Sequence, residues 1–159
     1  MLALLFATLC AGLFCGAAVY INLAEHPARV ACGTEIAVRQ FAQSYKRATV
    51  MQVSLALAGF LLGLLGAWQL RDPFAALGAI FLSSVAPFTL IVIFPTNKQL
   101  LDPMLEAGSV RAAALLRRWN RLHAVRSMLS AAGFTLMLWR LAFACAGLTS
   151  AGKHLPIMR

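Results

Sequence analysis

The sequence predicts an all-α integral membrane protein, a four-helix bundle with both termini on the non-cytoplasmic side. Three observations lead there. The chain has 159 residues, of which 61% are hydrophobic and only 12% charged, whereas water-soluble domains carry about 25% charged residues. Four segments, 2–23, 49–70, 74–94 and 124–148, match the roughly 20 apolar residues that cross a bilayer core. Basic residues collect in the two long connections, 24–48 and 95–123. A chain of this length and composition reads as one membrane domain.

Each element has its own signals. Segment 2–23 has no Lys or Arg before Arg29. It lacks the basic start of a secretory signal and reads as a retained helix. Segments 49–70 and 74–94 are joined by "RDPF", a tight hairpin. Segment 124–148 contains Arg126 and Arg140. Arg140 is expected to snorkel towards Asp72, the one acid on its side. None of the four runs alternates apolar and polar residues, which argues against a strand-built barrel.

The connections carry helical patterns too. "GTEIAVRQFAQSYKRA" sets Ile36, Val38, Phe41 and Tyr45 among charged and amide residues. "DPMLEAGSVRAAALLRRWNRLHAVR" places Pro103 near a helix N-terminus and Leu115, Leu116, Trp119 and Leu122 on one side. Both are expected to lie along the interface or to extend helices two and four beyond the membrane. Gly12-x-x-x-Gly16 and Gly59-x-x-x-Gly63 are expected to bring helices one and two close. The tail "TSAGKHLPIMR" reads as loose.

Charge sets the orientation. The side of the two long connections holds Arg29, Arg39, Lys46, Arg47, Lys98, Arg111, Arg117, Arg118, Arg121 and Arg126. The other side holds Arg71, Arg140, Lys153 and Arg159. The positive-inside bias therefore places the long connections in the cytoplasm. The net charge of +9 is thus a topology signal, and no nucleic-acid motif accompanies it. Cys10, Cys15, Cys32 and Cys145 form no CxxC, so a thiol relay has no support. Cys10, Cys15 and Cys145 read as small apolar residues within helices. Helices two and three carry almost no polar residue at mid-membrane, which argues against a channel.

Four polar clusters fall at one end of the predicted bundle. Helix one ends in "NLAEHPAR", with Asn22, Glu25, His26 and Arg29. Helix two begins with Tyr45, Thr49 and Gln52. Helix three ends in Thr96, Asn97 and Lys98. Helix four begins with Trp119, Asn120, His123 and Arg126. Asn22, His26 and Arg29 share the spacing i, i+4, i+7, as do Tyr45, Thr49 and Gln52, and Trp119, His123 and Arg126. Each trio should share a helix face. Pro27 disfavours helical backbone at the residue before it, which puts His26 at a helix end. Polar faces turn inward in lipid, so the clusters are expected to meet in a pocket. The bland alternative is that they only cap and anchor helix ends.

Three fragments, "HPAR", "PTNKQL" and "WNRLHAVRS", together resemble the anthrone oxygenase-like family of small four-helix membrane proteins, often described only as a domain of unknown function. His26 and Pro27 match the family's HP pair. Pro95, Asn97 and Leu100 match its second motif, and Trp119, His123 and Arg126 its third. The resemblance spans nearly the whole chain. It implies the fold and an oxidation of an anthrone to an anthraquinone with O₂, without a bound redox cofactor.

Two classes of function follow. In the first, the protein is a cofactor-independent oxygenase of an anthrone-like, phenolic or quinone-like aromatic substrate. His123 or His26 is the general base, and Arg126 and Asn97 hold the developing enolate oxygen. Asn22, Gln52 and Asn120 contact substrate, and Tyr45 and Trp119 stack on it. His26, His123 and Glu25 offer an alternative two-His, one-carboxylate iron site, though no HxxH or HxH spacing supports it. In the second class, the protein binds an anionic lipid or stabilises a membrane partner without catalysis, using Arg29, Arg126, Lys98 and Arg121. A glutathione-using enzyme ranks last, because the Glu-Arg-x-x-x-Ala-x-x-Asn pattern is absent. The expected partners are a hydrophobic small molecule or lipid and the membrane lipids themselves. A homo-oligomer remains open, and the Ala-, Leu- and Arg-rich composition suggests a bacterial inner membrane.

Overall fold

The computed structural model describes residues 1–152, with side chains through residue 143. Four helices account for nearly all of it: α1, Leu2–Ala31; α2, Thr34–Leu70; α3, Pro73–Leu100; and α4, Val110–Gly152. No strand occurs among the described residues. Helices α1, α2 and α3 are each long and apolar enough to cross a membrane. Helix α4 is not among these over the described residues, and it carries Arg126 and Arg140. Cys145 and the tail beyond residue 152 lie outside the described side chains.

The helices form a square bundle. Each packs on its chain neighbours, α4 also packs on α1, and the diagonal pairs scarcely touch. The outward faces present large apolar side chains such as Leu9, Leu13, Leu57, Leu61 and Leu65, a surface suited to hydrocarbon rather than water.

The turns follow from local chemistry. The α1–α2 turn is only Cys32–Gly33, and Gly33 adopts φ 99°, which a residue without Cβ adopts at no steric cost. Helix α2 ends at Arg71 in the left-handed region, φ 50°. Asp72 then caps α3: its Oδ1 accepts from the Phe74 and Ala75 amides at 3.0 and 3.2 Å. Pro73 follows at a position where no amide is needed. Arg140 Nε donates to Asp72 Oδ2 at 2.5 Å, so the expected snorkelling pair is formed.

The connection 24–48 is almost entirely helix, because α1 runs on to Ala31 and α2 already begins at Thr34. Pro103 is not near a helix N-terminus as expected. It lies in the 101–109 loop, where Asp102 Oδ1 accepts from the Met104 amide at 2.9 Å. Helix α4 starts later, where Ser109 Oγ accepts from the Ala112 amide at 3.1 Å.

Pro27 does not end α1 either. The helix opens into a π turn, Ile21–Glu25, just before it. Helix α3 repeats the device: the π turn Thr89–Ile93 precedes Pro95. A proline removes an amide donor and crowds the preceding turn. Widening that turn by one residue lets each helix continue.

Of the four glycines expected to bring α1 and α2 close, Gly59 does so, against Cys10 and Ala7. Gly12 faces Phe134 of α4, and Gly16 faces nothing within 4 Å. A further close α1–α2 approach is at Gly66, where a Cβ would lie 2.9 Å from the Leu4 amide nitrogen. Gly59 lies between Leu82 of α3 and Cys10 of α1, and Gly63 against Ala79 and Met137. These contacts leave no room for larger side chains.

Two apolar cores result. One joins Leu4, Ala7, Ala11 and Phe14 to Leu82, Val85 and Met137. The other joins Phe41, Ile93, Leu100, Leu116 and Trp119. Along α1, α2 and α4, the polar residues of the candidate site lie between the two.

Candidate active site

The site starts from Asn22, in the π turn of α1. Its Nδ2 donates to the side-chain and main-chain oxygens of Asn120 at 2.8 and 3.2 Å. Its Oδ1 is left to accept, and it lies 2.8 Å from His123 Nδ1. The proton of His123 therefore sits on Nδ1, and Nε2 presents a lone pair. Ser127, one turn further along α4, also donates to Asn22 Oδ1 at 2.6 Å. On the other edge of the ring, Arg126 Nη1 donates to His123 Nε2 at 3.3 Å. Arg126 Nη2 donates to Gln52 Oε1 of α2. The guanidinium carbon lies 5.0 Å from the centre of the Phe14 ring, a cation–π geometry. Asn22, His123, Arg126 and Gln52 thus form one chain of contacts across α1, α4 and α2.

Trp119 stacks on His123 with ring centres 4.7 Å apart. Its other neighbours are His26, 5.5 Å away and tilted, and Phe41, edge-on at 5.2 Å. Trp119 thus lies between the two imidazoles.

A cavity of about 680 Å³ runs from this cluster down the groove between α2 and α3. His123, Arg126, Trp119, Tyr45, Gln52 and Asn97 all line it. Asn22 and Asn120 do not: Asn22 holds His123 from behind, and Asn120 accepts from Asn22 and lines a separate recess. His26 does not line the cavity either. It opens onto the same recess, with Pro27, Arg117 and Arg121. Asn22 and His26 both face α4, the first at Asn120 and His123, the second at Trp119. Arg29 turns towards Ser44 of α2 and is the one of the three that reaches the cavity.

Phe14 and Ser127, which complete the cluster, were not anticipated. Glu25, named in the helix-one cluster, pairs with the buried Arg29. Ser127 lies at i+4 from His123, so helical spacing could have found it. Phe14 carried no signal of its own. The four cations proposed for a headgroup do not converge: Lys98 sits over the Phe94 ring and Arg121 lines the separate recess. Only Arg29 and Arg126 reach the cavity. Among the described residues, no group of three or more His, Cys, Asp and Glu side chains comes together to hold a metal. The set of His26, His123 and Glu25 is therefore not assembled.

Some buried polar atoms at the site have no partner within the chain: Gln52 Nε2, Asn97 Oδ1 and Arg126 Nε. Such groups are costly to bury unpaired, and all three belong to cavity-lining residues. Two of them are donors and one is an acceptor.

Fold and site together define a small helical protein with membrane-length helices and a polar cluster at the head of an apolar cavity. A family profile described as anthrone oxygenase matches residues 41–136, more than half of the chain, and the chain belongs to that family. The matched segment contains Tyr45, Gln52, Asn97, Trp119, His123 and Arg126, but not Asn22 or His26. No curated protein and no solved structure matches the chain.

Proposed function

We propose that this protein is a membrane-embedded oxygenase that converts an anthrone-like, phenolic or quinone-like aromatic substrate with O₂. One observation carries the reading. The lone-pair edge of His123 and the Arg126 guanidinium share a wall of a largely apolar cavity large enough for a flat polycycle. Membership of the anthrone oxygenase family supports the reaction class.

For an anthrone the chemistry balances as follows. His123 Nε2 removes one proton from the methylene carbon, displacing the long contact from Arg126. The enolate oxygen is held by Arg126 and by the amide of Gln52 or Asn97, donors set in place before charge develops. The electron-rich carbon reduces O₂ and bonds to it, and the proton on His123 completes a hydroperoxide. Loss of the second methylene proton and cleavage of the O–O bond leave a ketone and water. One O₂ is consumed for each quinone formed. Asn22 keeps the other imidazole nitrogen protonated, so Nε2 stays the acceptor. Trp119 holds the ring plane, and Tyr45 contacts the substrate.

The test is O₂ uptake and quinone formation by purified protein supplied with anthrone, against a protein-free control. His123→Ala should lower turnover by about 10²–10⁴-fold while helix content is kept. Full activity in that variant removes His123 from the mechanism. The presence of Arg29 and Arg126 on the cavity wall favours a second reading, non-catalytic binding of an anionic lipid. A wild-type protein that consumes no O₂ with anthrone but retains a phospholipid through purification supports that reading instead.

A further inference from the structure

The polar groups occupy only the top of the cavity. Below Gln52, its α2 wall continues through Val53, Ala56, Leu57 and Phe60. From Gln52 to Phe60 is about 12 Å of helix. The facing α3 wall is Ser83, Val85, Ala86 and Leu90. Its one side-chain hydroxyl below Thr89, that of Ser83, donates to the Ile80 carbonyl. This lower part is therefore apolar and offers a ligand no free hydrogen-bonding side chain.

It is also open sideways. Val53 is 59% exposed, Leu57 57% and Leu90 65%, although all three line the cavity. The two helices are locked together nearer their hairpin, where Gly59 meets Leu82 and Gly63 meets Ala79. Beyond those contacts α3 carries Pro87 and the π turn Thr89–Ile93, features that bend helices. The gap between α2 and α3 faces the same direction as the outward apolar side chains, towards lipid.

We infer that the ligand has two parts and arrives from the bilayer: a polar ring head held at His123, Arg126 and Asn97, and an apolar chain that lies along Val53, Leu57 and Leu90 and leaves between α2 and α3. This rests on the reading of the His123 end as the head site. A chain-bearing phenol or quinone fills both regions, whereas a bare tricycle would leave the lower groove empty.

The test uses the full chain in lipid nanodiscs, with Trp68→Phe and Trp139→Phe leaving Trp119 as the one indole. A tail-less benzoquinone reports on the head site by saturable quenching of Trp119. A decyl-benzoquinone with a diazirine at the chain end reports on the tail by photolabelling. The expected label falls on residues 53–60 and 83–90 and is lost with excess unlabelled decyl-benzoquinone. Ala86→Phe, which fills the gap without adding an indole, should abolish that label and leave quenching of Trp119 by the tail-less quinone. Label spread over the outer faces of α1 and α4, or insensitive to competitor or to Ala86→Phe, overturns the inference. If the tail-less quinone does not quench Trp119, the head-site reading falls. If it quenches while the chain labels elsewhere, only the two-part ligand falls.

Discussion

Asn22 holds His123: the amide oxygen of one accepts the Nδ1 proton of the other at 2.8 Å, across the interface between α1 and α4. The same oxygen accepts from Ser127, and the amide nitrogen is spent on Asn120. Replacement by Ala leaves the His123 Nδ1 proton and the Asn120 side-chain oxygen without this partner, while the Ser127 hydroxyl can still donate to the His123 carbonyl. Asn22→Ala should lower stability by about 1–3 kcal/mol, read from detergent melting curves. It should also lower kcat more than it raises KM, because Asn22 orients the base without touching the cavity. An unchanged kcat contradicts the positioning role.

Arg126 links His123 to Gln52 and carries the charge nearest the proposed enolate. Arg126→Met keeps the stem that packs on Phe14 and removes the charge. Turnover should fall by about 10²–10³-fold. Gln52→Ala should cost less, since Arg126 retains its contact with His123. If Gln52→Ala is the more damaging of the two, the charge is not what the cavity uses.

Gly66 and Gly16 should respond in opposite ways. A methyl at Gly66 would sit 2.9 Å from the Leu4 nitrogen and 3.0 Å from its Cβ, so the helix backbones must part. Gly66→Ala should destabilise by about 1–3 kcal/mol. Gly16 faces open space within 4 Å, and Gly16→Ala should be neutral or slightly stabilising. Melting temperatures of the two variants side by side settle the point.

Asp72 supplies a pH dependence. Burial raises its pKa, but the Arg140 hydrogen bond, the Ala75 amide, the Arg140 charge and the Phe74 amide outweigh burial and hold it below the ordinary value of 3.8. A carboxylate depressed in the folded state adds stability above its unfolded value and loses it as pH falls through the folded value. The melting temperature should therefore fall as pH drops below 3.8. Asp72→Asn keeps a capping side chain but removes the charge, and it should flatten this acid limb. An acid limb identical to that of the wild type removes Asp72 from the account.

The proposed orientation has its own probe. Cys32 is a free, exposed thiol in the turn between α1 and α2. With Cys10, Cys15 and Cys145 replaced by Ser, an impermeant maleimide should label Cys32 in inside-out vesicles and not in right-side-out ones. The reverse pattern inverts the topology drawn from the basic residues.

The legible part of this protein was what regular helices dictate. Tyr45, Thr49 and Gln52, and Trp119, His123 and Arg126, were grouped by spacing, and all six line one cavity because α2 and α4 are unbroken there. The Arg140–Asp72 pair was legible because a lone acid and a lone deep arginine had one place to meet. Asn22 and His26 share the α4-facing side as their spacing predicts, but spacing alone could not show that Arg29 is the one of that trio to reach the cavity. The reach of the cavity towards Phe60 and Ser83 was hidden as well. It depends on where α3 parts from α2, which is a property of two packed helices and not of either sequence segment.

The site lies between two apolar cores, and that layering has a dynamic consequence. The core around Leu4, Leu82 and Met137 is built on small residues in close backbone contact, whereas the core around Phe41, Leu116 and Trp119 borders the 101–109 loop. Cooperative units of unequal local stability open separately. Amide hydrogen exchange should therefore be faster in residues 34–45 and 110–122 than in residues 4–18 and 75–85. Because Trp119 and Phe41 roof the His123 site, opening of that outer layer uncovers the site while the rest of the bundle stays folded.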